Sequence, residues 1–417
     1  MSRKTDSKQT YPGKKHLTIA LVIDSLSNLS NGTANSANQL AAELTRLGHQ
    51  VRLVGVQAPE PSYRAEELHL PVATALAHQQ QECLAKPNKV LFYRAFAGAD
   101  IVHIYEPFIF GRAARDYAWS HSLPVTAGFH IQPENITYAL GPLRHLPGLE
   151  NLTYGIMNRY FYRGIRHLHV PSQAEARLLH RHGYHNQFHI ISNGYQEIFH
   201  PASAEPSADD SFPDNSPAGG SLHRGSPTFL IAAAGRLSAE KDHATLLKAV
   251  SLCRHRRDMA VVIAGDGPLR GRLTRMAADI PDCPISFNFY PHESMPHFYQ
   301  QADLLVHPSI ADIEGVSVLE AMACGLVPVI ASSPLSAAGS FALTSRSLFP
   351  AGNAHILADQ LDWWFEHPHM LNLWGKRYAA ATAERYSLKE CTAKFLSMER
   401  EAMADFSLTH SSSGFPR

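Results

Sequence analysis

Residues 303–333 read DLLVHPSIADIEGVSVLEAMACGLVPVIASS. The apolar run Leu304–His307 predicts a buried strand, and a loop carrying Asp312, Glu314 and Gly315 follows it. A helix is expected from Val316–Ser317 through Met322, with Gly325 as its stop, and then a strand over Val327–Ala331. Strand, loop, helix and strand in this order form one step of a parallel α/β sheet. The start of that helix is also a place for chemistry. Its first N–H groups have no partner within the helix and carry partial positive charge, which suits a phosphate. Gly315 would let a ligand approach the backbone. Glu320 lies one turn inside, where a carboxylate can accept two sugar hydroxyls; the alternative is a solvated helix acid.

The same rhythm extends in both directions. Upstream, strands are expected at Phe229–Ala233 and Ala260–Ala264, with helices running through Val250 and near Arg270–Ala278. Residues 201–226 (PASAEPSADDSFPDNSPAGGSLHRGS) are nearly all Pro, Ala, Ser, Gly and acids. Such a stretch buries too little apolar surface to offset its ordering entropy, so it reads as a flexible linker. Before it, strands are expected at Thr18–Asp24, Val51–Val56, Ile101–Ile104 and Pro124–Phe129, and a helix at Ala34–Leu47 capped by Gly48. The fold class is therefore α/β, with two doubly wound domains: 16–200 and 227–404, followed by a loose polar tail over 405–417.

Other functional classes are disfavoured by composition. The 417 residues carry 37 Lys+Arg and 37 Asp+Glu, and this neutrality argues against a nucleic-acid partner. It is a cancellation: residues 1–200 hold 19 basic and 14 acidic side chains, and 201–417 hold 18 and 23. Five cysteines without a CxxC fit a reducing, cytoplasmic setting. The basic, polar first residues have no apolar core of a signal peptide, and no apolar run is long enough to span a bilayer. His180, His182 and His185 lie close together, but no Cys/His set accompanies them, and a polar helix end is the simpler reading.

Two further segments add candidates. In AGRLSAEKDHATLLK (234–248), Arg236 follows a strand end and Lys241 stands at a helix start. A planar fork and a point charge together suit two linked phosphates. In VVIAGDGPLR (261–270), the turn at Gly267 could contact a base or ribose.

With the 303–333 segment, these stretches resemble the retaining GT-B glycosyltransferases of family four. Further stretches resemble the bacterial 1,2-diacylglycerol 3-glucosyltransferases: NLSNGTANSA (28–37), HIYEPF (103–108), GFHIQPENITY (128–138), HVPS (169–172), ISNGY (191–195) and SAAGSFAL (336–343). The resemblance implies that Arg236 and Lys241 hold a donor diphosphate and Glu320 the donor ribose. Asp312 stands where the family has a Glu that contacts the donor sugar, and Glu314, taken as a donor contact, replaces the usual aromatic. The phosphate amides fall on Val316 and Ser317. His130 takes the place of an active-site His, and Asn31–Gly32–Thr33 that of a Gly-rich loop, with Gly32 a donor contact. The final helices are expected to return to the first domain.

The implied chemistry is transfer of a hexosyl unit, with retention, from a UDP-sugar such as UDP-glucose to a lipid hydroxyl, diacylglycerol above all. No DxD motif is present where a metal would be needed, so no metal or other cofactor is expected. The segment 143–169 mixes Arg159, Arg163 and Arg166 with aromatics including Tyr160. It reads equally as an ordinary packed helix or as a membrane-surface element, and the resemblance favours the second. Together with Asn135 it makes the acceptor or membrane candidate, so the protein would sit peripherally on the inner face of the cell membrane. Two alternatives remain: the same chemistry on another acceptor, or a sugar-nucleotide epimerase.

Overall fold

The structure is a computed structural model that describes residues 15–26, 32–70, 74, 83–133, 148–202 and 229–412. The chain divides into two compact units. The first combines residues 1–193 with 388–417, and the second is Gly194–Ser387.

The first unit is built on a seven-stranded parallel sheet in the order β3-β2-β1-β4-β5-β6-β7. Its strands are β1 Thr18–Ser25, β2 Gln50–Val56, β3 Arg64–Ala65, β4 Ile101–Ile104, β5 Val125–Gly128, β6 His167–Val170 and β7 Gln187–Ile190. Every residue of β1 is buried, because strands pair with it on both sides and helices cover both faces. The run TIALVID is thus continuous rather than alternating in polarity.

The second unit holds a six-stranded parallel sheet ordered β10-β9-β8-β11-β13-β15. These strands are β8 Phe229–Ala234, β9 Met259–Ala264, β10 Ile285–Asn288, β11 Leu304–His307, β13 Val327–Ser332 and β15 Leu348–Pro350. A two-stranded pair, β12 Ala311–Asp312 and β14 Leu335–Ser336, lies beyond the end of β11.

Both sheets reverse their strand order at one place, between β1 and β4 in the first and between β8 and β11 in the second. At such a switch point the loops leaving two neighbouring strands part and open a crevice. The same device anchors each. Asp100, just before β4, accepts from Thr18 N at 2.7 Å, and Asp303, just before β11, accepts from Leu230 N at 2.7 Å. The dipeptide Ala-Asp ahead of an apolar run marks this position in both halves of the sequence.

Two expectations change. The second unit runs over Gly194–Ser387 rather than 227–404, while the final helix, from Leu388, returns to the first unit as expected. Residues 405–412 of the expected loose tail are instead the end of a helix, Leu388–Ser412, and 413–417 lie outside the described residues. Cys391, Phe395, Met398, Ala402 and Met403 recur at helical spacing on it and are buried with Ile19, Leu21, Leu40 and Leu44. Asp405 pairs with Arg166 and with His167 Nε2, each at 3.1 Å. Most of the expected linker and the first 14 residues lie outside the described residues.

Candidate active site

The predicted residues fall into two clusters, one in each unit. In the second unit, the crevice between β8 and β11 collects Arg236, Lys241, Asp312 and the helix Val316–Ala323. Arg236 leaves the end of β8 and donates through Nη2 to Glu240 Oε1 at 2.9 Å. Glu240 is buried, and Ser238 Oγ donates to the same oxygen. Burial opposes its ionisation, but the Ser238 hydroxyl and the Arg236 guanidinium outweigh it and hold the carboxyl below its ordinary range. Glu240 thus fixes one edge of the guanidinium.

Lys241 reaches Asp312 with Nζ 2.5 Å from Oδ2. His307, at the end of β11, places Nε2 3.2 Å from the same oxygen. Burial favours the neutral acid at Asp312, yet the Lys241 ammonium and the His307 ring prevail and keep it ionised far below the usual carboxylate range. Asp312, expected to meet a sugar, is first of all the counter-ion of Lys241. Glu314, expected as a donor contact, is buried, and its N–H donates to Asp312 Oδ1 at 3.4 Å.

Gly315 has φ +92° and precedes the helix that Val316 and Ser317 open. A Cβ there would stand 2.8 Å from Ala338 Cβ. Only glycine meets both demands. One turn in, Glu320 is 7% exposed, so it is not a solvated helix acid. Burial pushes its carboxyl up to about 8, against a hydrogen bond from Tyr299 Oη to Oε2 at 3.4 Å. Gly267 packs against the Leu237 backbone, to which a Cβ would come within 2.7 Å. Packing of two loops accounts for that glycine without a ligand.

In the first unit, Gly32 opens the helix Gly32–Arg46 and is exposed, with open space where a Cβ would point. His130 follows β5, is buried, and stacks on Tyr105 with ring centroids 4.8 Å apart. Burial and the neighbouring rings of His169 and His103 lower its pKa well below the ordinary value. At the β1/β4 switch point, Glu106 Oε2 accepts from Asp24 N at 2.7 Å. Burial and the Asp24 charge raise the Glu106 pKa well above the usual range.

The acceptor candidates separate. The helix Leu149–Met157 and the π-helical turn Asn158–Tyr162 bury Tyr154, Met157, Phe161 and Tyr162. The opposite side exposes Leu152 at 59% and Ile156 at 56%, followed by Arg159 and Arg163. Tyr160 is half-buried under the Arg112 guanidinium, 4.3 Å from its ring centroid. Asn135 lies outside the described residues.

Glu240, His307 and Tyr299 were missed in the sequence because each acts on a predicted residue and carries no motif of its own. A weak signal existed for Glu240 alone, which stands four residues after Arg236.

Two open, doubly wound parallel sheets, with Arg236 and Lys241 at the switch point of the second, are the architecture of the GT-B glycosyltransferases. Comparison with known proteins agrees. The profile described as Glycosyltransferase Family 4 matches residues 30–197, and the one described as Glycosyl transferases group 1 matches residues 221–380. The chain belongs to glycosyltransferase family four.

Among curated relatives, a GDP-mannose-dependent α-(1-6)-phosphatidylinositol dimannoside mannosyltransferase of Mycobacterium tuberculosis is 35% identical over 112 residues, 26% of this chain. That match spans only 29% of the relative's length. An α-monoglucosyldiacylglycerol synthase of Streptococcus pneumoniae is 24% identical, covering 75% of this chain and 70% of the relative. A GDP-mannose-dependent α-mannosyltransferase of Corynebacterium glutamicum is also 24% identical, covering 75% and 71%. The sucrose-phosphate synthase structure from Thermosynechococcus elongatus superposes with a TM-score of 0.70 at 16% identity, over 94% of this chain and 100% of the other. Anabaena HepE in complex with UDP-glucose gives 0.63 at 15% identity, over 95% and 100%. At these identities the superpositions speak for the fold. Among the described residues, no helix is long and apolar enough to cross a membrane.

Proposed function

We propose that this glycosyltransferase moves a hexosyl unit, glucose first among candidates, from a UDP-sugar to the hydroxyl of a membrane lipid such as diacylglycerol, with retention at the anomeric carbon. The observation that carries the donor half is the convergence of Arg236, Lys241 and the Val316 helix start at the β8/β11 switch point. Three positive elements on one crevice match a diphosphate. Glu320, one turn into the same helix, suits the ribose hydroxyls.

In the proposed reaction the bond between the anomeric carbon and the diphosphate breaks, and one from that carbon to the acceptor oxygen forms on the same face. The electron pair leaves with the diphosphate. Arg236, Lys241 and the helix N–H groups stabilise that developing charge, as preorganised electrostatic catalysis requires. The acceptor proton passes to a departing phosphate oxygen, so no protein base is needed. The diphosphate would draw Arg236 and Lys241 from Glu240 and Asp312, and the proposed reaction uses no divalent metal there.

The acceptor half rests on the exposed Leu152, Ile156, Arg159 and Arg163, which pair apolar surface with positive charge as a lipid headgroup region demands. A second donor reading, GDP-mannose, is favoured by the names of several relatives. One incubation series tests both. The protein is given UDP-glucose, other UDP-hexoses or GDP-mannose with diacylglycerol vesicles, and products are read by mass spectrometry and anomeric NMR coupling. An α-glycosyl lipid formed from a UDP-hexose is expected. Turnover of GDP-mannose alone overturns the donor assignment, and a β-product overturns retention.

A further inference from the structure

His103, His130 and His169 come from β4, the end of β5 and β6, and meet in the interior of the first unit. They are 0%, 7% and 3% exposed. One ring nitrogen from each lies within 4.8 Å of the other two. His103 Nε2, His130 Nε2 and His169 Nδ1 are buried and have no hydrogen-bond partner among the described residues.

The partners of the remaining nitrogens decide which lone pairs are free. His169 Nε2 lies 2.7 Å from Ile191 O. A carbonyl can only accept, so the proton is on Nε2 and the lone pair on Nδ1. Thr126 Oγ1 donates to Glu399 Oε1 at 2.8 Å, and His103 Nδ1 lies 2.8 Å from that hydroxyl. The hydroxyl has spent its proton on the carboxylate, so His103 Nδ1 must donate and Nε2 is left with the lone pair. Two rings are therefore held in known tautomers by a carbonyl and by a hydroxyl–carboxylate pair, which is how proteins hold metal-ligating histidines. Gly128 contributes space: a Cβ there would stand 2.1 Å from His130 Nε2.

Two of these buried nitrogens, His103 Nε2 and His169 Nδ1, are acceptors without a partner among the described residues, and each costs about 1–3 kcal/mol if unsatisfied. We propose that His103, His130 and His169 bind one divalent transition-metal ion of the zinc class, with three imidazole ligands and an open fourth position. An all-imidazole set selects zinc, cobalt, nickel or copper over magnesium or calcium. Neutral rings release no proton on binding. Metal–nitrogen bonds of about 2.0–2.1 Å require the rings to close in from their present spacing. This ion is distinct from any metal at the donor diphosphate, which the proposed function does without. Because the site includes His130, an occupied site holds the ring that the family resemblance assigns to the active site.

A second set, His167, His189 and Glu401, also clusters, but His167 Nδ1 and His189 Nε2 already bond each other at 3.0 Å, and His167 Nε2 is taken by Asp405. It supplies the control.

The test uses the full chain, stripped with a chelator and titrated with Co²⁺, read by visible absorption and by bound metal after desalting. One equivalent with the visible band of a four- or five-coordinate nitrogen site is expected, displaced by Zn²⁺. His169→Gln and His103→Gln should each weaken binding at least about tenfold. His189→Ala should leave it unchanged. Absence of the band in the wild type overturns the proposal, as does binding lost in His189→Ala but kept in His169→Gln. If His103→Gln fails to fold, the wild-type spectrum and His169→Gln still decide. None of these readouts needs turnover, so a failed glycosyltransfer assay leaves the metal result standing.

Discussion

Lys241 and Asp312 are 71 residues apart in sequence and 2.5 Å apart in space, Nζ to Oδ2. The lysine assigned to the donor diphosphate thus carries its own counter-ion. A phosphate must compete with Asp312 for the ammonium, while a sugar beside Asp312 would draw the carboxylate away. Asp312→Asn separates these effects. UDP alone should bind at least as tightly as in the wild type, by calorimetry, while transfer falls about 100-fold. Weaker UDP binding in this variant would count against the pairing as described.

Arg236→Ala removes a fork that the buried Glu240 orients. Transfer should drop by about 10²–10³ in kcat/KM, the cost of losing one preorganised charge at a developing anion. Steady-state kinetics with the productive donor checks it, and unchanged turnover sinks the diphosphate assignment.

Glu320 couples pH to stability. Its folded pKa of about 8 lies above the ordinary value of 4.5, so the folded chain favours the protonated form. That contribution is complete below pH 4.5 and is lost as pH rises through 8. In between, stability should fall by about 1.4 kcal/mol per pH unit from this group. Urea unfolding of the second unit, which holds Trp363, Trp364 and Trp374, reports it by fluorescence. Glu320→Gln should flatten the slope; an identical slope would show that the carboxyl is not shifted.

Gly315→Ala forces a Cβ into the left-handed region and against Ala338. The backbone term alone costs about 1–2 kcal/mol. The variant should melt lower and bind UDP more weakly, because the same shift moves the first turn that Val316 opens. Thermal unfolding with and without UDP measures both.

The exposed face of the helix Leu149–Met157 is the acceptor-side test. Arg159→Glu with Arg163→Glu should reduce sedimentation with phosphatidylglycerol vesicles, and salt should do the same to the wild type. Leu152→Ser with Ile156→Ser should reduce it at any salt. Binding indifferent to lipid charge and to all four changes would remove the membrane reading.

The strands were legible where burial is two-sided. TIALVID and LLVH are continuous apolar runs, and both became central strands within a residue of expectation. The helix Leu388–Ser412 was harder to place, since its polar surface from Asp405 on resembles a tail until its buried face is seen against the first sheet. Of the site, Arg236, Lys241, Gly315 and Glu320 were legible because they sit at fixed offsets from strand ends. Glu240, His307 and Tyr299 were not, because each acts through a partner that only the fold brings within reach of its side chain.

By itself, the sequence determined two parallel α/β units and the candidate cations at the end of β8, since hydrophobic period and turn chemistry are local properties. Only the tertiary structure decided that Asp312 neutralises Lys241, that Glu320 is buried with its carboxyl pushed to about 8, and that His103, His130 and His169, far apart in sequence, cluster. Those facts depend on which strand lies beside which. Strand order in a parallel sheet is a non-local choice, which no window of sequence contains.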